Sequence, residues 1–149
     1  MKNSEDAVKL FKEGYNCSQS VIGAFCDELG MDFQTAMKIS SSFGGGMGRL
    51  REVCGAVTGM FMVFGLKYGY DDPKDRVSKQ KHYELIQMLS QRFKDINGSI
   101  ICRELLGLGI KHDSPIPAER TVSYYKKRTC VELVRCAAEI TEEILNERQ

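Results

Sequence analysis

The 149-residue chain predicts an all-α, single-domain bundle of several helices around one central buried helix at about residues 50–68. Three observations lead there. Apolar residues recur at helical spacing, and no strand-like alternation runs long enough to compete. Caps and glycine stops punctuate the chain into helix-sized segments. The run from Val53 to Leu66 is apolar nearly all round, the pattern of a helix enclosed by others. No repeat, low-complexity tract or linker interrupts it, so residues 1–149 read as one domain.

Residues 4–13 predict a first helix capped by Ser4, with Ala7, Val8, Leu10 and Phe11 as its apolar face and Gly14 as its stop. A second starts at Asn16, where Asn16-x-x-Gln19 has the form of a capping box. It runs through Val21, Ile22, Phe25 and Leu29 to Gly30, with Cys17 in its first turn and Cys26 in its last turns. Asp32 caps a third helix, roughly Phe33 to Ser42. The glycine-rich stretch Gly44-Gly45-Gly46-Met47-Gly48-Arg49-Leu50-Arg51 then leads to the central helix. There Gly55, Ala56 and Gly59 leave a face without bulk, so a neighbouring backbone can approach closely.

Asp72-Pro73, a cap followed by proline at the first helical position, starts the fifth and longest helix. It closes at Asn97-Gly98, with Val77, Leu85, Ile86, Leu89, Phe93 and Ile96 as core face. Ser99 caps a short sixth helix that carries Cys102 and ends at Gly107. Residues 107–119 are irregular. Thr121 to Lys127 predicts one or two helical turns with Val122, Tyr124 and Tyr125 packing inward. Thr129-x-x-Glu132, a second capping box, opens the last helix.

Net charge is +1, which supplies no global field for nucleic acid or an anionic membrane. The most apolar run is too short to span a bilayer. The polar N-terminus has no apolar signal segment, so a cytoplasmic location is expected. Six cysteines are many for such a chain. In a reducing compartment, clustered thiols point to catalysis, redox sensing or metal binding more than to structural disulfides.

Four of the six share a position. Cys17 follows the cap Asn16, Cys54 follows the glycine stretch, Cys102 lies just after Ser99, and Cys130 follows Thr129. At a helix N-terminus, free N–H groups and the positive end of the dipole favour a thiolate. Arg49 and Arg51 near Cys54, and Lys126, Lys127 and Arg128 before Cys130, add positive charge. Lowered thiol pKa values are expected, and they would serve a nucleophile or a metal ligand equally. Cys26 and Cys136 sit among apolar neighbours and read as core residues.

The glycine stretch lacks the Gly-Lys-Ser/Thr ending of a phosphate loop, and no βαβ unit surrounds it. It reads as a sharp turn that approaches the thiol site closely. His82, near the stripe of the fifth helix, reads as a packed histidine, and His112, in the irregular stretch, as an exposed one. Neither has zinc-finger spacing.

At Asn16-Cys17-Ser18-Gln19, Gly44–Gly48, Cys54-Gly55-Ala56-Val57-Thr58-Gly59, Cys102-Arg103-Glu104-Leu105-Leu106-Gly107 and Cys130, the chain resembles the C-GCAxxG-C-C family of putative redox-active proteins. The likeness covers nearly the whole chain, and its four cysteines are the four at helix starts. One departure is that Val53, not glycine, precedes Cys54. The resemblance implies redox activity and names no substrate.

Two chemical readings stand beside a bland one. The first is a thiol–disulfide oxidoreductase or electron carrier that needs no cofactor. Cys54 would attack, one of Cys17, Cys102 and Cys130 would resolve, and the partner would be a redox protein or a small thiol. The second binds an iron–sulfur cluster or zinc through Cys17, Cys54, Cys102 and Cys130. The third is a helical interaction module with cysteines as packing. A homodimer is compatible with all three.

Overall fold

The computed structural model describes every residue but Lys111 and Arg128, and the side chains of Lys126 and Lys127 also fall outside what is described. The fold is all-α. Among the described residues β-pairing is limited to one antiparallel bridge, Val53 with Ile101.

Helix α1 (Lys2–Lys12) starts earlier than predicted, with Met1 as N-cap. Ser4 lies one turn in, buried, its Oγ donating back to the Met1 carbonyl at 2.8 Å. Helix α2 (Cys17–Gly23) opens on the expected capping box: the Asn16 side chain accepts from the Gln19 N–H at 2.9 Å, and Gln19 Oε1 accepts from the Asn16 N–H at 3.0 Å. It was expected to continue to Leu29 but breaks at Ala24–Phe25, leaving α3 (Cys26–Leu29) as a separate turn. Gly23 is the weak point. A Cβ there would meet Leu10 at 2.9 Å and Met37 at 3.1 Å, so neighbouring side chains close over bare backbone. Helix α4 (Phe33–Ser40) is capped by Asp32 as expected, and a 3₁₀ turn (Ser41–Phe43) replaces its predicted end.

The glycine stretch is a left-handed helical turn. Gly45, Gly46, Met47, Gly48 and Arg49 have φ of 65°, 69°, 72°, 63° and 66°, and the Gly48 N–H donates to the Gly44 carbonyl at 2.9 Å. An L-residue in a left-handed helix costs about 1–2 kcal/mol, so glycine at three of these five positions removes most of the penalty. Arg51 returns to positive φ at 59° before the chain extends into the bridge.

That bridge moves the start of the central helix. The Cys54 N–H donates to Ile100 at 2.8 Å and the Cys102 N–H to Glu52 at 2.6 Å. With its N–H committed outside the helix, Cys54 is an N-cap, and α5 spans Gly55–Tyr68 instead of beginning near Leu50. Ala56, Val57, Met60, Val63 and Phe64 of α5 are buried in the core. The small face does what was expected of it. A Cβ on Gly59 would lie 2.7 Å from the Ser18 carbonyl, and one on Gly55 would lie 3.1 Å from the Cys17 Cβ. Bare backbone at these two sites seats α2 against α5.

Helix α6 (Arg76–Asn97) is capped by Asp75, which accepts from the Ser78 N–H at 3.0 Å; Asp72 instead holds the preceding turn through the Lys74 N–H. Only a narrow stripe, Leu85, Leu89 and Phe93, is buried along it, whereas Val77 and Ile96, expected in the core, are 66% and 65% exposed. Helix α7 (Cys102–Leu105) has Ile101 as N-cap; Ser99 acts just before it, accepting from the Ile101 N–H and donating to Glu104. In α8 (Val122–Lys127), Tyr124 and Tyr125 pack against the core but Val122 points to solvent. Helix α9 (Cys130–Glu147) packs on α1 and α5. Its N-cap Thr129, at φ −87° and ψ 9°, makes no side-chain capping bond, and the Glu132 side chain turns towards Arg135 at 3.5 Å. Among the described residues, no helix is long and apolar enough to cross a membrane.

Candidate functional site

The four cysteines at helix starts come from four separate elements. Cys17 is the first residue of α2, Cys54 caps α5, Cys102 is the first residue of α7 and Cys130 the first of α9. All four line one cavity of about 430 Å³. Cys54, Cys102 and Cys130 are buried and Cys17 is half-buried. Cys26 and Cys136 lie elsewhere. The Cys26 thiol donates to the Ile22 carbonyl within the core, and Cys136 accepts from Asn97 Nδ2 at 3.4 Å.

Each thiol is placed by a local feature of the sequence. The Asn16 capping box fixes the first turn of α2 and so Cys17. The bridge pairs Val53 with Ile101, the residues directly before Cys54 and Cys102, and so sets the two cysteines side by side. The left-handed turn lies directly over Cys102: a Cβ on Gly46 would sit 2.6 Å from the Cys102 Cβ and 2.9 Å from the Arg51 Cα. The glycine stretch therefore approaches Cys102 more closely than Cys54, which sequence order had suggested.

The electrostatics also differ from the expectation. Burial pushes the Cys54 thiol up to about 12, against hydrogen bonds from the Ala56 and Val57 N–H groups that pull it down. Negative charge on Cys102 and Cys130 raises it further. Cys17 is held well above the ordinary thiol range, first by its hydrogen bond with Cys130, then by burial and by the other thiols. Helix-start N–H groups are present, but desolvation and mutual repulsion outweigh them at these two positions. In the Cys17–Cys130 pair, Cys17 keeps its proton to higher pH than an ordinary thiol.

Arg51 was expected beside Cys54. It is only 5% exposed and donates from Nη1 to Cys102 Sγ at 3.6 Å and from Nη2 to Asp113 at 3.0 Å. Burial would lower its pKa, but the bonds to Cys102 and Asp113 outweigh that and hold the guanidinium charged. A cation beside a sulfur favours its thiolate form. Arg49 pairs with the same Asp113 carboxylate at 3.0 Å and donates from Nε to the Ser114 carbonyl, which ties the irregular stretch to the left-handed turn. The two arginines hold Asp113 below the usual carboxylate range, chiefly through the Arg51 hydrogen bond.

Asp113, Arg120, Phe11 and Tyr124 were not foreseen as neighbours of the site. Arg120 lines the cavity with its guanidinium 4.1 Å from the Phe11 ring centre, donating to the Phe11 carbonyl and, at 2.7 Å, to the Tyr15 carbonyl. Asp113 carried a weak signal as an acid in the irregular stretch; Arg120 carried none. Arg128 and the Lys126 and Lys127 side chains, expected to add charge before Cys130, lie outside the described residues. His112 is exposed, and His82 packs on Tyr70 beside a different cavity.

Four sulfur donors on one cavity suit iron–sulfur or zinc chemistry. Among the described residues, however, no three His, Cys, Asp or Glu side chains converge closely enough to hold a metal ion. The donor chemistry fits and the side-chain arrangement does not.

The profile of the family described as putative redox-active protein (C-GCAxxG-C-C) matches residues 15–144. The chain belongs to this family. A protein of Archaeoglobus fulgidus, described as uncharacterized, is 25% identical over 99% of this chain and 96% of its own length. No solved structure matches.

Proposed function

We propose that this member of the family is a thiol–disulfide exchange protein whose working pair is Cys17 and Cys130. The observation that carries the reading is the hydrogen bond between these two thiols in a cavity that all four helix-start cysteines line. Cys130 starts an 18-residue helix and is the partner in the Cys17 hydrogen bond while Cys17 keeps its proton, so Cys130 is taken as the nucleophile of the two. Cys54, expected from sequence to attack, is a poor thiolate once burial holds its proton.

The Cys130 thiolate attacks one sulfur of a disulfide RS–SR, forming a Cys130–SR bond as the S–S bond breaks and RS⁻ leaves. Cys17 gives its proton to the departing thiolate, and its sulfur displaces the second RS⁻. Two electrons pass from the protein to the substrate, leaving a Cys17–Cys130 disulfide, and the second thiolate takes its proton from water. The reverse sequence reduces the protein. Cys54 and Cys102, each next to a residue of the Val53–Ile101 bridge, are a second dithiol that can re-reduce the first by the same exchange, becoming a disulfide that an external thiol then reduces.

The test is peptide mapping after brief oxidation with a small disulfide and alkylation of the remaining thiols. A Cys17–Cys130 crosslink is expected, lost in Cys130→Ser and kept in Cys26→Ala. A different first crosslink, or none, would sink the assignment.

The second reading, an iron–sulfur or zinc centre on Cys17, Cys54, Cys102 and Cys130, is favoured by the donor set alone. It requires the four side chains to draw closer than they lie. Stoichiometric iron or zinc in anaerobically purified protein, with all four thiols protected from alkylation, would establish it over the first.

A further inference from the structure

The cavity carries a charge that thiol exchange by itself does not need. Arg49, Arg51 and Arg120 all line it, and none of its described lining residues is acidic. Asp113, placed behind them, is a single carboxylate shared by Arg49 and Arg51. Arg120 donates to the neutral carbonyls of Phe11 and Tyr15, and among the described residues no carboxylate pairs with it. Arg120 is thus a cavity-lining cation that no carboxylate among the described residues neutralises, although the chain as a whole has a net charge of only +1. Phe11, Leu105, Leu106, Pro115, Pro117 and Leu133 add apolar surface to the wall, and Asn16 and Ser41 polar groups. A volume of about 430 Å³ suits a small molecule.

We infer that the substrate of this site is a small anionic disulfide, one carrying carboxylates near its sulfurs, with Arg120 as the residue that selects for negative charge. The inference rests on the thiol-exchange reading and names its substrate class. Arg120 sits against Phe11 and Tyr15, residues flanking the loop that leads to Asn16 and Cys17, so a carboxylate held by it leaves the disulfide beside the Cys17–Cys130 pair. The exchange balances as described above: two protein thiols become a disulfide while the substrate disulfide becomes two anionic thiols. Partial removal from water strengthens the charge selection over what the same guanidinium would provide in bulk solvent.

The experiment compares three dialkyl disulfides of similar size: dithiodiglycolate, bis(2-hydroxyethyl) disulfide and cystamine, which are anionic, neutral and cationic. Oxidation rates of the reduced full chain are divided by those of mercaptoethanol with the same compounds. The anionic disulfide should be preferred over the cationic by at least about tenfold, and the preference should shrink as salt is raised. Arg120→Gln should lower the anionic-to-neutral ratio by about tenfold while Arg120→Lys retains most of it. A wild-type ratio equal to that of the free thiol overturns the inference, as does an equal loss in Arg120→Gln and Arg120→Lys. If the variants do not fold, the wild-type ratio and its salt dependence decide. Reaction with the neutral compound but no charge preference defeats only this inference; failure to react with any of the three defeats the thiol-exchange reading beneath it.

Discussion

Cys54 sets two opposing influences against each other. Two backbone N–H groups at the start of α5 favour its thiolate, while burial and the neighbouring thiols oppose it, and the balance lies at about 12. Helix-start arguments from sequence weigh only the first influence, because exposure and neighbouring charge are set by residues far away in the chain. The sign for stability follows. The folded state keeps the Cys54 proton after the unfolded state, with a thiol pKa of about 8.5, has lost it. The contribution is therefore complete below that value and is lost as pH rises towards about 12. The reduced protein should lose stability by about 1.4 kcal/mol per pH unit through this window from Cys54 alone. Cys17, raised in the same direction, should add to the slope. Denaturant unfolding in a strong reductant from neutral to alkaline pH checks this, with Cys54→Ser expected to flatten the slope by one proton. An unchanged slope in that variant would remove Cys54 from the account.

At the scale of elements, the helices were legible and their starting points less so. The Asn16 and Asp32 caps stand where sequence put them, because a cap is a local contact between residues three apart. The starts of α5 and α7 shifted because the Val53–Ile101 bridge takes up backbone groups, and no local pattern announces a pairing across that distance. The glycine stretch was legible as a tight approach but not as a left-handed turn. Its demands are separable by substitution. Gly46→Ala forces a Cβ to 2.6 Å from the Cys102 Cβ at φ 69°, and should cost about 2–3 kcal/mol with loss of cavity function. Gly65→Ala, within α5 and with nothing within 4 Å of the new Cβ, should stabilise by about 0.5–1 kcal/mol. Thermal unfolding of the two variants against wild type tests the contrast; equal effects would mean the close approach at Gly46 is not what requires glycine.

Across the whole molecule, Cys17 and Cys130 stand near opposite ends of the chain, on α2 and α9. A disulfide between them closes a loop of most of the chain. The unfolded state then loses up to about 4–5 kcal/mol of loop-closure freedom. Oxidised protein should therefore unfold at a distinctly higher denaturant concentration than reduced protein, and Cys17→Ser should abolish the difference. If oxidation leaves the midpoint unchanged in a mapped Cys17–Cys130 species, native-state strain offsets the gain, and the two thiols are not seated for pairing as the reduced cavity suggests.

The sequence by itself determined the all-α class, the family, a close backbone approach to the Gly55–Gly59 face and the position of four cysteines at helix starts. These rest on periodicity, caps and residue size, which act over a few neighbouring positions. Only the tertiary structure decided that the four thiols line one cavity, that Cys17 hydrogen-bonds to Cys130, that Arg51 serves Cys102 instead of Cys54, and that Arg120 borders the same space. Each of those depends on two or more distant segments meeting. The direction of a thiol's pKa depends on the water and charge those segments leave around it.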